Sequence, residues 1–281
     1  MGAHRALLLF VPAYASEDWP DLEYLRDEYR EVRATLADQG YEIDGSSGCD
    51  TYTAAELLKR MSRFIADAGR GERQLVYLSG HGFHHDGRHW FAGADSDVGL
   101  LGAQTLQATN VELGSDWARQ VDRSAVEQAM FVVDACRDRL VPEGRGELGS
   151  PLTPPVGNDR LSFLMACEPD RPAAVAGHAE APDGRYSLFT QALREVLADT
   201  QTALSADRLR DLLESAMEDL RTRQAKPPRS QVPRLSGDEG GPRFDVLPAR
   251  PEPGGERRNR LRDHAVWSRT TDRAEATELL E

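Results

Sequence analysis

The sequence predicts an α/β fold in which a mostly parallel central sheet carries helices on both faces. Three observations lead there. Short apolar runs of strand length alternate with longer stretches whose apolar residues recur at helical spacing, the pattern of βαβ units. Residues 130–133 (M-F-V-V) are apolar at every position, as expected of a strand buried on both faces. That run stops abruptly at Asp134, Cys136 and two arginines, and in an open parallel sheet the carboxyl ends of the strands are where ligands sit. The chain has 281 residues, enough for one α/β unit of roughly 200–250 residues.

Taken in order, residues 6–11 (A-L-L-L-F-V) are the first strand, followed by a polar loop to Asp21. Leu22, Leu25, Tyr29, Val32 and Leu36 then recur at helical spacing, and Gly40 stops that helix. Residues 41–43 begin a second strand. Thr53 with Glu56 three residues on is a capping-box pattern, and Leu57, Met61, Phe64 and Ile65 form the apolar stripe of the helix it opens. Residues 74–79 are the next strand. Asp86-Gly87 between alternating residues signals a tight hairpin. Residues 117–126 are expected to be helical and lead into the strand before Cys136. Residues 137–160 are rich in Pro and Gly without periodicity, a stretch too long for an ordinary connection. Residues 161–166 read as a strand, 186–197 and 206–220 as helices, and 231–233 with 244–247 as the segments that close the sheet.

Charge and cysteine usage narrow the class. The net charge of −13 argues against nucleic-acid binding, which needs clustered positive charge; an acidic surface favours basic substrates or partners. The basic residues are almost all Arg, with Lys59 and Lys226 the lysines, a bias that points to a GC-rich, bacterial genome rather than to a mechanism. Cys49, Cys136 and Cys167 cannot all pair and lack metal-ligand spacing, which reads as a reducing, cytoplasmic setting. Residues 1–15 imitate a signal peptide, but the apolar run is short and Pro12 interrupts it, so it is read as the first strand. No stretch has the apolar length of a membrane span.

Two motifs carry the chemistry. Residues 74–82 (Q-L-V-Y-L-S-G-H-G) end a strand at His81, and residues 130–137 (M-F-V-V-D-A-C-R) end another at Cys136, about fifty residues later. A lone Cys after a strand is more often a small buried hydrophobe than a nucleophile; the paired motif reverses that. Together they make the chain resemble the caspase superfamily, and D-A-C-R makes it similar to the metacaspase, paracaspase and bacterial caspase-like branch, because animal caspases carry Gln where this chain has Asp134. The S-x-F-T-x-A-L pattern of residues 187–193 resembles the family's small subunit. The resemblance implies a caspase-like three-layer fold with about six strands. It also implies a peptidase domain over residues 1–248, large-subunit-like over 1–140 and small-subunit-like over 161–248 with a linker at 141–160. Residues 249–281 form a linker and a charged C-terminal tail.

The resemblance further implies a cysteine endopeptidase. Cys136 attacks the scissile carbonyl, and His81 donates a proton to the departing amine and activates water for deacylation. Backbone N–H groups of Gly82 and Cys136 hold the oxyanion. Asp134, two residues before the nucleophile, lies in the pocket for the residue preceding the cleaved bond, and Asp27 is the best match to the second acidic group of that pocket; Glu168 or Asp170 are candidates for a third. Two carboxylates in one pocket repel, and an incoming guanidinium relieves this, so protein substrates with Arg, or Lys, at the cleavage site are expected. Arg145, between Gly144 and Gly146, is the candidate processing site for autolysis or an activating protease. No cofactor is expected. His84, His85 and His89 lack the order of a binuclear zinc site and suit a hairpin, and Asp95-Ser96-Asp97 lacks an EF-hand pattern and suits a solvated loop. The alternative is a caspase-like interaction module with dispensable catalysis; the presence of both His81 and Cys136 favours the enzyme.

Overall fold

The computed structural model describes residues 3–85, 87–97, 103–135, 138–139, 159–168, 175–177, 185–200, 202–224, 228, 230–236 and 244–247. The first half runs β1 (His4–Phe10), α1 (Leu25–Asp38), β2 (Glu42–Ile43), β3 (Gly48–Cys49), α2 (Ala54–Ala66), β4 (Arg73–Gly80), β5 (Gly82–His85), β6 (Arg88–Ala92), α3 (Ala103–Thr109), β7 (Asn110–Leu113), α4 (Ser115–Arg123) and β8 (Gln128–Ala135). The second half runs β9 (Asp138–Arg139), β10 (Leu161–Met165), β11 (Val175–Gly177), β12 (Arg185–Ser187), α5 (Leu188–Asp199), β13 (Leu204–Ser205), α6 (Ala206–Thr222), β14 (Arg234–Leu235) and β15 (Asp245–Leu247). Among the described residues no helix is long and apolar enough to cross a membrane.

The central sheet has the order β14-β10-β8-β4-β1-β2, with β3 also paired to β1. Every pairing in it is parallel except β10 with β14. Alternate residues of each strand face opposite sides, and the core splits accordingly. Ala6, Leu8, Phe10, Tyr77, Met130 and Val132 pack with α1, α5 and α6, whereas Leu7, Leu9, Val76, Leu78, Phe131 and Val133 pack with α2 and α4. These strands are apolar at nearly every position because both faces are covered. The expected α/β architecture, a mostly parallel sheet between two helical layers, is the one observed.

Local chemistry explains the elements that positioned correctly. At α2, the Thr53 hydroxyl accepts from the Glu56 N–H at 3.3 Å and the Glu56 carboxylate accepts from the Thr53 N–H at 2.9 Å, closing the capping box. Gly87 has φ 73° in the tight turn between β5 and β6, a conformation that favours glycine. Other boundaries shift. The helix expected at 117–126 begins and ends earlier, and residues 138–139 pair in parallel with Phe83 and His84, so the stretch after Cys136 begins with a strand. The hairpin is thereby part of a four-stranded sheet, β7-β6-β5-β9. The central sheet is closed by β14, while β15 pairs with β13 and not with the sheet edge. Two-residue strands carry too little alternation to be legible in a sequence.

The capping box yields a stability prediction. Thr53→Ala removes the hydroxyl that accepts from Glu56, and is expected to lower unfolding free energy by about 0.5–2 kcal/mol. Urea unfolding should show the lower midpoint with an unchanged slope.

Candidate active site

The site is built on the two central strands. β4 and β8 pair in parallel without interruption from Arg73↔Gln128 to Gly80↔Ala135, which sets Ser79 opposite Asp134. Both strands therefore end at one level of the sheet, and the next residues in sequence are His81 and Cys136. Cys136 itself lies outside the described residues, as do Asp170 and Arg145.

His81 is 9 % exposed and is held from three directions. Its Nε2 lies 2.8 Å from the Pro20 carbonyl oxygen, so Nε2 carries the proton it donates there and Nδ1 is the basic nitrogen. Its backbone N–H donates to the Tyr14 hydroxyl at 2.7 Å. The Tyr14 and Trp19 rings both stand 4.8 Å from the imidazole. Gly80 makes this approach feasible, because a Cβ there would stand 2.7 Å from the Tyr14 hydroxyl oxygen. Burial lowers the pKa of His81, opposed by the Pro20 hydrogen bond and the Asp21 charge, so at neutral pH the ring is neutral and ready to accept a proton. Sequence reasoning found no group orienting His81; a main-chain carbonyl leaves no signature in side-chain identity.

Gly82 is buried at the start of β5, paired with Phe91. The Ala92 N–H donates to the His81 carbonyl at 2.9 Å. In an antiparallel ladder this makes Gly82 and Phe91 a non-hydrogen-bonded pair, so the Gly82 N–H lies outside the β5–β6 ladder.

Asp134 is buried on the α1, α5 and α6 side. Its Oδ2 accepts from the Ser187 hydroxyl and, at 2.7 Å, from the Thr190 hydroxyl, which in turn lies 2.7 Å from the Tyr77 hydroxyl. Its carboxylate neighbour is Glu28. The Glu28 Oε1 accepts from the Ser187 N–H at 2.6 Å, so one residue at the start of α5 holds both acids. The other oxygen, Oε2, is buried with no hydrogen-bond partner among the described residues. Burial, and then the Asp134 charge, raise the pKa of Glu28 well above the usual carboxylate range. Burial also raises Asp134, against the lowering by its hydroxyl donors.

The expected partner of Asp134 was Asp27. Asp27 instead forms an ion pair with Arg30 one turn along α1, and the residue turned into the core is Glu28. A signal was present: Leu25, Glu28, Val32 and Leu36 are the buried residues of α1, so Glu28 is an acid at a core position of the apolar stripe. Ser187 and Thr190 were legible as part of the family-like pattern but not as ligands of Asp134. Glu168, a candidate third acid, is paired with Arg234.

Other candidates are engaged structurally. His84 and His89 face each other across the hairpin with ring centroids 5.5 Å apart, and among the described residues no three His, Cys, Asp or Glu side chains converge in a metal-binding group. Asp95 accepts from the Ala54 N–H at 2.9 Å, holding the start of α2, and the Ser96 hydroxyl donates to Asn110 at 2.7 Å. Cys49 belongs to β3 rather than to a loop, and burial raises its thiol pKa to about 12, leaving it a poor nucleophile.

The comparison with curated proteins finds no match to this chain. The family model described as the caspase domain, Peptidase_C14, matches residues 3–239, a span that includes the parallel sheet, both strand ends and every side chain of the site above. The chain therefore belongs to the caspase-domain family and is a caspase-like cysteine peptidase.

Proposed function

We propose that the chain is an endopeptidase with a His81–Cys136 dyad that cleaves proteins after arginine. The observation that carries the dyad is the register of β4 and β8: the two strands run paired in parallel to Gly80 and Ala135, and the residues that follow them in sequence are His81 and Cys136. Neutral His81 takes the thiol proton through Nδ1 while Nε2 stays on the Pro20 carbonyl. The thiolate attacks the scissile carbonyl, and the imidazolium returns the proton to the departing amine. His81 then draws a proton from water as it attacks the acyl-enzyme. The Gly82 N–H, outside the hairpin ladder, is a donor to the oxyanion together with the N–H of Cys136.

Glu28 and Asp134 supply the preference for arginine, with Glu28 in the part that the sequence assigned to Asp27. The two carboxyl groups lie together on Ser187, and the lone Oε2 of Glu28 is an acceptor in need of a donor. A planar guanidinium offers several donors in a fixed fork and a delocalised charge, so it answers both acids better than an ammonium does. No cofactor takes part in this reading. Arg145 is the processing site that converts a less active precursor, and the setting is a cytoplasmic, bacterial effector or processing role.

Three experiments test these statements. Cys136→Ala and His81→Ala should each abolish hydrolysis of an Arg-containing fluorogenic peptide while leaving circular dichroism unchanged; near-normal turnover in either variant would disprove the dyad.

Asp134→Asn and Glu28→Gln should each weaken kcat/KM for Arg peptides by orders of magnitude, since removing one partner of a buried charge pair costs about 2–5 kcal/mol. Wild-type KM for Arg peptides should fall as pH rises through the raised pKa of Glu28, because only the ionised acid attracts the guanidinium. Stability should run the other way. A carboxyl whose folded pKa is raised favours the native state below its unfolded pKa, and that contribution is lost as pH rises through the folded value. Glu28→Gln keeps the acceptor for the Ser187 N–H and should melt higher than wild type above the ordinary carboxylate range, with no gain at acid pH. Cleavage after Asp, or a Glu28→Gln enzyme with full Arg selectivity, would remove this assignment.

Mass spectrometry of wild type beside Cys136→Ala and Arg145→Ala should show a cut after Arg145 in the first alone, with lower activity in Arg145→Ala. An intact wild-type chain with full activity would rule out the processing step.

A further inference from the structure

The β1–α1 connection does more than lend a carbonyl to His81. The Trp19 indole lies against the imidazole at 4.8 Å between centroids with planes 26° apart, a stacked arrangement. Trp19 also stacks with Phe83 at 6.0 Å, and Phe83 with Trp90 at 6.4 Å. Phe83, Trp90 and Leu106 form a small apolar cluster separate from the two layers of the main core, with Trp19 packed on it. The indole Nε1 is buried with no hydrogen-bond partner among the described residues, so packing, not a polar tether, sets its plane.

A hydrogen bond at Nε2 fixes one direction of the imidazole but leaves the ring free to tilt about that bond. A flat surface against the ring removes the tilt. Trp19 and the Pro20 carbonyl are consecutive residues, and the segment that carries them is braced. The Trp19 N–H donates to the Ser16 carbonyl at 3.2 Å, the Tyr14 N–H to the Asp21 carboxylate at 3.1 Å, the Ala15 N–H to the Ala94 carbonyl at 2.8 Å and the Leu22 N–H to the Pro12 carbonyl at 2.7 Å.

We propose that Trp19 is a positioning residue for His81: its stacked face sets the plane of the imidazole, and with it the direction of Nδ1, for proton transfer. The inference rests on the peptidase reading for its kinetic consequence, and on the ring geometry alone for its structural one. Trp19 also covers one face of the imidazole from water, and burial is the main influence that holds His81 neutral; the charged group facing it is Asp21, with the Tyr14 hydroxyl on its main chain.

The test compares wild type, Trp19→Ala, Trp19→Phe and Leu106→Ala. Trp19→Ala should lower kcat about ten- to a hundred-fold, the scale of a small misplacement of a reacting group, with KM changed by less than about threefold. Its acid limb of activity should move to higher pH as water reaches the ring. Trp19→Phe should recover most of kcat, because a smaller aromatic face still sets the plane. Leu106→Ala, which loosens the same cluster without touching His81, should keep kcat. NMR titration of the His81 imidazole in the Cys136→Ala background, assigned by comparison with Cys136→Ala/His81→Asn, should show the same upward shift on adding Trp19→Ala. Wild-type kcat and an unshifted His81 titration in Trp19→Ala would overturn the proposal. So would a loss confined to KM, which marks a substrate contact, or an equal loss in Leu106→Ala, which marks packing alone. If the wild-type protein hydrolyses no peptide, the peptidase reading falls, and the titration shift still decides the role of Trp19.

Discussion

The unbroken parallel pairing of β4 with β8, buried on both faces at the centre of the sheet, is what the rest of the molecule depends on. A parallel pair needs a crossover to return the chain to the same edge, and the segment from β5 to α4 provides it while the α2 and α4 layer covers one face. Strand residues alternate between the two helical layers, so the register that completes both halves of the core also determines which polar residues emerge at the strand ends and on which side. Ser79 is opposite Asp134 and Gly80 opposite Ala135 as a consequence of packing. A slip of one residue would turn every core side chain to the wrong layer, so the strand ends that meet are specified by the whole core.

Burial then acts on the polar groups at that edge in opposite directions with one physical cause. Withdrawal from water disfavours the charged form of each, which lowers the pKa of His81 and raises those of Glu28 and Asp134. Burial thus works against charge at each of the three groups. The hydrogen-bond demands at this edge are met from the main chain and from hydroxyls: Pro20 at the imidazole, Tyr14 at the main-chain N–H of His81, Ser187 and Thr190 at the acids. Glu28 retains one oxygen without a donor among the described residues, the arrangement expected where a ligand supplies the missing donor.

The connection from β1 into α1 links the two halves of the site. Residues 14–21 hold the imidazole, and Glu28, in the first turns of the following helix, stands with Asp134. The four-stranded hairpin sheet is anchored beside the central sheet where the Ala92 N–H meets the His81 carbonyl. The groups gathered at this edge are therefore carried on loops, on a helix start and, for Asp134, on the end of β8, with the sheet as their common base.

The sequence by itself determined the α/β class, the two central strands, the capped start of α2 and the two motifs that end in His81 and Cys136, because periodicity, capping and strand length are local properties of the chain. Glu28 was half legible, as an acid on the apolar stripe of α1, whereas Asp27 beside it was the better match by pattern. Only the tertiary structure shows that Glu28, not Asp27, stands beside Asp134: the 100° turn per helical residue takes its meaning from what the helix packs against, and here it turns Glu28 toward Ser187 and Asp27 toward Arg30. The Pro20 carbonyl, the Tyr14 hydroxyl and the stacked Trp19 were illegible for the same reason. They reach His81 from about sixty residues away in sequence, across a contact that exists only once β1 lies beside β4 and the register of that pair is set.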